Sequence, residues 1–103
     1  MAKLDKKKKA KWLKALRSGK YVQGAGALKK IVYDDNEKVI GHEYCCLGVA
    51  CQIRIARATC EAFVSSHFLP DDVQTELANM NDGTNGKERT SFKQIAKWIE
   101  KNL

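Results

Sequence analysis

Four cysteines and two histidines have the widest chemical range in this chain, and three of the cysteines fall in one short run, Tyr44-Cys45-Cys46-Leu47-Gly48-Val49-Ala50-Cys51. Two chemistries can be weighed against that spacing. A structural zinc centre takes four ligands, usually as two close pairs that reach one tetrahedral point. Here Cys45 and Cys46 are adjacent, Cys51 follows five residues later and Cys60 nine after that. On a helix, neighbouring side chains point about 100° apart. Adding His42 or His67 does not repair the spacing, so no metal is expected. The second chemistry is nucleophilic catalysis, with Cys45 or Cys46 activated at a helix start and His42 just upstream as base. The sequence supplies no third group to orient His42. Buried core thiols are the simpler role for such residues, and the chain is expected not to be an enzyme.

Charge points elsewhere. The chain carries 19 Lys and Arg against 12 Asp and Glu, a net charge of +7, which favours anionic partners such as nucleotides or nucleic acid. In Lys20-Tyr21-Val22-Gln23-Gly24-Ala25-Gly26-Ala27-Leu28-Lys29-Lys30, two glycines two apart precede two lysines, a pattern that can shape a backbone concavity for an anion. It lacks the Gly-Lys-Ser/Thr ending of a P-loop and the third glycine of a dinucleotide fingerprint, and a plain tight turn that lets the chain double back is the simpler explanation. Arg54 and Arg57 add positive charge, while Gln23 and Asn81 offer amides for recognition. Gln23, Gly24, Gly26, Lys29, Tyr44, Arg54 and Asn81 therefore form the candidate ligand-binding set, with no cofactor expected. Taken singly, each charged residue is also explained as solvated surface.

The elements that must position these residues follow from periodicity and punctuation. Asp5 as N-cap, a narrow stripe of Trp12, Leu13 and Leu16, and Gly19 as a stop predict a first helix from about Asp5 to Ser18. Lysines crowding its start oppose the helix dipole, so residues 1–9 are expected as a flexible basic arm, with order beginning near Lys9 or Ala10. Ile31-Val32-Tyr33 and Val39-Ile40 around an Asp/Asn-rich turn predict a β-hairpin over about Lys30 to Tyr44. The uncharged run from Cys45, extended by Ile53, Ala56 and Cys60, predicts a buried central helix of about four turns, in which Gly48 permits close approach of another backbone.

After an ambiguous stretch through Phe68, Leu69-Pro70-Asp71-Asp72 starts a helix with Val73, Leu77 and Met80 on one face, ending at Asn81-Asp82-Gly83. Asp82 to Arg89 is expected as an exposed loop. Ser91-Phe92-Lys93-Gln94 is a capping box opening a last helix through Ile95, Ala96, Ile99 and Leu103. The expected fold is α+β and mainly helical, about four helices around the central one with one hairpin, in a single domain over residues 1–103. No apolar run approaches the roughly 18 residues of a membrane span, and the lysine-rich start lacks a secretory signal. A cytoplasmic protein with reduced thiols is expected.

Four segments carry a resemblance. Trp12-Leu13-Lys14-Ala15-Leu16-Arg17-Ser18-Gly19-Lys20-Tyr21-x-Gln23 with Tyr44-Cys45-Cys46-Leu47-Gly48-Val49, and the ending Leu77-Ala78-x-Met80-Asn81-Asp82 then Ser91-Phe92-x-x-Ile95-Ala96-x-x-Ile99-Glu100, resemble a group of small phage and prophage proteins. The stretch Ile53 to Phe68 and the loop Gly83 to Thr90 lie outside that resemblance. It implies a viral accessory protein of host takeover or counter-defence, and it transfers no catalytic motif. The expected function is non-enzymatic sequestration of an anionic partner, a signalling nucleotide or nucleic acid, or blockade of a host defence protein. Self-association into a homo-oligomer is left open. The alternatives are a cysteine-dependent enzyme using Cys45 or Cys46 with His42, and a small DNA-binding regulator, for which no basic recognition helix after a short turn is evident.

Overall fold

The computed structural model describes residues 4–25, 27–59, 63–83 and 89–103. Its elements are α1 (Lys6–Arg17), β1 (Val22–Gln23), β2 (Lys29–Tyr33), β3 (Val39–Tyr44), α2 (Cys46–Gln52), α3 (Asp71–Asp82) and α4 (Phe92–Asn102). Among the described residues this is an α+β fold of four helices and a small sheet.

Helix α1 begins at Lys6, ahead of the start near Lys9 or Ala10 expected from charge. The side chain of Asp5 accepts the N–H of Lys8 at 3.2 Å, and its main-chain carbonyl accepts the N–H of Lys9. This N-cap, worth about 1 kcal/mol, offsets the lysines' unfavourable place at the positive end of the dipole. Trp12, Leu13 and Leu16 form the buried stripe, and Gly19 at φ +76° turns the chain out. Helix α4 runs against α1, and its face of Phe92, Ile95, Ala96 and Ile99 is buried, as the capping box and periodicity predicted.

The sheet differs from the expected lone hairpin. β2 and β3 pair antiparallel around a turn at 34–38, but β1 pairs parallel to β3 on its other side, giving the order β1-β3-β2. A two-residue strand carries no alternation pattern, so the sequence held no signal for β1. Gly24 makes that pairing possible. Its N–H donates to the Tyr44 carbonyl at 2.8 Å, and a Cβ there would lie 2.6 Å from Glu43 Cβ.

The four-turn helix also gives way to a shorter one. Helix α2 stops at Gln52, with Ile53 as C-cap and Arg54 at φ +65°. The N–H groups of Ile55 and Ala56 then fold back onto the Ala50 carbonyl. The apolar residues beyond Ile53 fit a helical period but belong to a wrap over the helix end, where Ile55 is buried. Cys60 lies outside the described residues. Cys46, Leu47, Gly48, Val49 and Ala50 are all buried, and the Trp12 indole N–H donates to the Cys46 carbonyl at 2.9 Å. The backbone that approaches Gly48 is that of Leu28, whose carbonyl occupies the place a Cβ would take.

Helix α3 starts after Pro70 and ends at Gly83, φ +74°. Its fully buried residues are Gln74, Leu77 and Asn81, with Val73 and Met80 only half-buried. The helix is thus rotated relative to the face of Val73, Leu77 and Met80, because its two polar core residues bind main-chain groups of Val64, Leu69, Gly24 and Cys46. Most of the expected 82–89 loop, residues 84–88, lies outside the described residues. No helix among the described residues is long and apolar enough to cross a membrane.

Candidate functional site

The structure divides the predicted site residues into separate groups. Gln23, Gly24 and Asn81 do come together, but they bind one another. The Asn81 side-chain carbonyl accepts from Gln23 Nε2 at 3.1 Å and from the Cys46 N–H at 3.2 Å. Its Nδ2 donates to the Gly24 carbonyl at 2.7 Å and to Asp82 Oδ1 at 2.9 Å. Gln23 Nε2 also donates to the Thr90 carbonyl at 2.7 Å. Asn81 is fully buried, and its amide is a junction between the glycine turn, the start of α2 and the end of α3. Gly26 lies outside the described residues.

Lys29 and Tyr44 sit opposite each other on β2 and β3. The Lys29 ammonium lies 6.0 Å from the Tyr44 ring centroid, and Tyr44 meets Tyr21 edge-on at 5.4 Å. Lys20 in turn lies over Tyr21 at 5.7 Å. Tyr21, Lys20, Lys11, Lys14 and Ile53 border a depression of about 270 Å³ with an apolar floor.

Arg54 faces a different and larger depression of about 460 Å³, lined by Lys8, Arg54, Arg57, His67, Ser65 and Cys51 over a floor that includes Ile55 and Phe68. None of the described lining residues is acidic. The side chains reach it for identifiable reasons. Ile55 is held in the core, which leaves Arg54 on its outer side. Arg57 is fixed where its carbonyl accepts the Ser65 N–H at 2.8 Å, next to the Ala58–Val64 bridge. The Ser65 hydroxyl accepts the His67 N–H at 3.2 Å. Phe68 packs edge-on against Trp12 at 5.4 Å, and Lys8 stands one turn before Trp12 on α1. Beneath this, the buried Gln74 holds the irregular chain. Its Oε1 accepts the Val64 N–H at 2.8 Å, and its Nε2 donates to the Val64 and Leu69 carbonyls at 2.9 Å each.

Arg54 holds a left-handed backbone that costs a residue with a Cβ about 1 kcal/mol or more. Such strain occurs where surrounding structure enforces it. Glu37, in the exposed 34–38 turn, shares it at φ +63°.

The thiols are poorly disposed for nucleophilic work. Burial pushes the Cys45 thiol up, outweighing the Gly48 N–H donated to its sulfur at 3.3 Å. Burial pushes Cys46 up much further, and its Sγ–H lies 3.7 Å from the Leu77 carbonyl. Cys51, half-buried at the edge of the larger depression, is also raised by burial. His42 is exposed on β3 opposite Ile31. Cys45, Cys46 and Cys51 are free, and among the described residues no three His, Cys, Asp or Glu side chains converge to hold a metal ion.

The sequence points to Arg54 and Arg57 as anion contacts, but to His67 only as a candidate metal ligand and to Lys8 only as part of the basic arm; with Ser65, which carries no signal, these two reach the depression through tertiary folding. No curated protein and no solved structure matches the chain. One family model does match, over residues 4–68, which takes in all the residues lining the larger depression and the stretch from Ile53 to Phe68 that the phage-protein resemblance left out. That span exceeds half of the 103 residues, and the chain belongs to the family described as a domain of unknown function, DUF8296.

Proposed function

We propose that this protein is a non-enzymatic binder of an anionic ligand of nucleotide class, held in the depression between Arg54, Arg57 and Lys8. One observation carries the reading. Lys8 from α1 and the pair Arg54 and Arg57, about 46 residues further along the chain, line a single depression whose described lining residues include no carboxylate. Its volume falls in the range of small-molecule sites, about 300–1,000 Å³. The guanidinium groups of Arg54 and Arg57 bind phosphate oxygens through paired N–H donors, and Phe68 and Ile55 give an apolar floor for a base.

In this reading the short α2 is the hub that the other helices pack around, and β2–β3 is a hairpin projecting from it. The resemblance to small phage proteins supports a setting in host takeover or counter-defence, in the bacterial cytoplasm, by sequestration of the ligand. The burial that raises all three described thiols favours binding over cysteine catalysis.

The experiment is a thermal-shift screen against ATP, cyclic dinucleotides and short single-stranded DNA. A ligand at about 100 times its Kd adds about 2.7 kcal/mol of stability. The reading requires a saturable stabilisation that the double variant Lys8→Glu, Arg57→Glu abolishes. Stabilisation that survives the double variant, or a flat screen, overturns it.

A further inference from the structure

The outer edge of β2 is the other feature that the fold leaves unanswered. β2 ends the sheet order β1-β3-β2, and among the described residues no strand pairs with its far side. Ile31 and Tyr33 on β2 are 50% and 55% exposed, with Val39 and Ile40 exposed beside them on β3. Unpaired apolar edges are templates for another strand. We propose that β2 pairs antiparallel with β2 of a second copy of this chain, across a two-fold axis at Val32, to give a weak homodimer with a continuous six-stranded sheet.

Three independent features agree on this register. The first is the direction of the backbone groups. Cys45 donates to the Leu28 carbonyl at 3.3 Å and Asp34 to the Lys38 carbonyl at 2.9 Å, so residues 28 and 34 turn their polar groups toward β3. The irregularity between Val32 and Tyr33 places the extra residue, Ile40, in β3, and β2 itself alternates regularly. By that alternation Lys29, Ile31 and Tyr33 present their N–H and C=O groups to the free edge. An axis at Val32 sets Ile31 opposite Tyr33 of the second copy, and both residues have outward-facing groups.

The second feature is apolar matching. Ile31 and Tyr33 lie on one face, because side chains alternate, and the axis pairs them twice. The third is charge. On the other face the same register sets Lys30 opposite Asp34 of the second copy, again twice. An axis one residue earlier, at Ile31, would set Lys30 against Val32 and leave Asp34 unmatched. Lysines at an edge ordinarily discourage pairing, but here each faces the Asp34 carboxylate, whose Oδ1 accepts the Asn36 and Lys38 N–H groups of its own turn and whose negative charge is left to meet the lysine. A five-residue edge makes a small interface, so association is weak and depends on concentration.

The dimer does not depend on the ligand reading, and its test is separate. In the wild-type protein, sedimentation equilibrium up to about 1 mM, the range of weak interfaces, should show the mass rising from 11.6 kDa toward twice that value. Lys30→Glu, at a position that also faces Glu43 within the chain and with its fold checked by circular dichroism, should weaken association at least roughly tenfold. Val32→Cys places two thiols across the axis at about 4.5 Å between Cα atoms, within disulfide reach. Under mild oxidation it should form a reducible dimer faster than the wild type or Ile31→Cys. A mass fixed at 11.6 kDa overturns the dimer. Faster crosslinking at Ile31→Cys, or no effect of Lys30→Glu, overturns the register.

Discussion

The side-chain carbonyl of Asn81 and the backbone N–H of Cys46 are joined at 3.2 Å, across 35 residues of chain. With Gln23 and Gly24 on the same amide, this bond ties three segments together at a fully buried point. Asn81→Ala strands a buried N–H and a buried carbonyl, each costing about 1–3 kcal/mol. The variant should lose roughly 2–4 kcal/mol in urea unfolding. Ligand affinity of the folded fraction should be unchanged, whereas a drop in affinity with little loss of stability would return Asn81 to the binding site.

Gly48 tolerates no side chain. A Cβ would coincide with the Leu28 carbonyl, which is backbone and cannot swing aside. Despite the better helix propensity of alanine, Gly48→Ala should destabilise by about 2–4 kcal/mol, read as a fall in the unfolding midpoint. A neutral or stabilised variant would mean that the chain crossing at Leu28 is wrongly placed.

The thiols predict an alkaline instability. Cys46 is held well above its ordinary value of 9.0, and Cys45 is raised in the same direction. Above pH 9 the unfolded chain releases these protons while the folded one retains them, so the folded state binds more protons and stability falls as pH rises. The contribution is fully present below about pH 9. Thermal unfolding between pH 8 and 10.5 should show the fall, and Cys46→Ala should flatten it relative to wild type. Identical slopes would contradict the burial of this thiol.

Where the sequence spoke clearly, it did so through local rules. Ser91 caps α4 by accepting the Gln94 N–H at 3.3 Å, Asp5 caps α1, and Gly19 and Gly83 close α1 and α3 at positive φ. What escaped depends on distant partners. β1 is two residues long and exists because β3 is beside it. Ile55 fits a helical period, yet Arg54 turns left-handed before it, and arginine is not a residue from which that turn is predicted. Gln74 and Asn81 share a face with Leu77 at positions 74, 77 and 81. A polar residue at such a core position signals a chain segment needing hydrogen bonds, and the smoother apolar series Val73, Leu77, Met80 concealed it. For the candidate site, Arg54 was visible as a charge. Its grouping with Lys8 and His67 required α1 to lie over the end of α2, which no local pattern encodes.

The most direct measurement is a calorimetric titration of ATP and of a cyclic dinucleotide into the wild-type protein and Arg54→Gly. Glycine accepts φ +65° without strain, so this variant removes the guanidinium while keeping the turn. The account predicts saturable binding to the wild type by one of the two, weakened at least roughly tenfold in the variant. Equal affinity in both proteins, or binding of neither nucleotide to either, would contradict it.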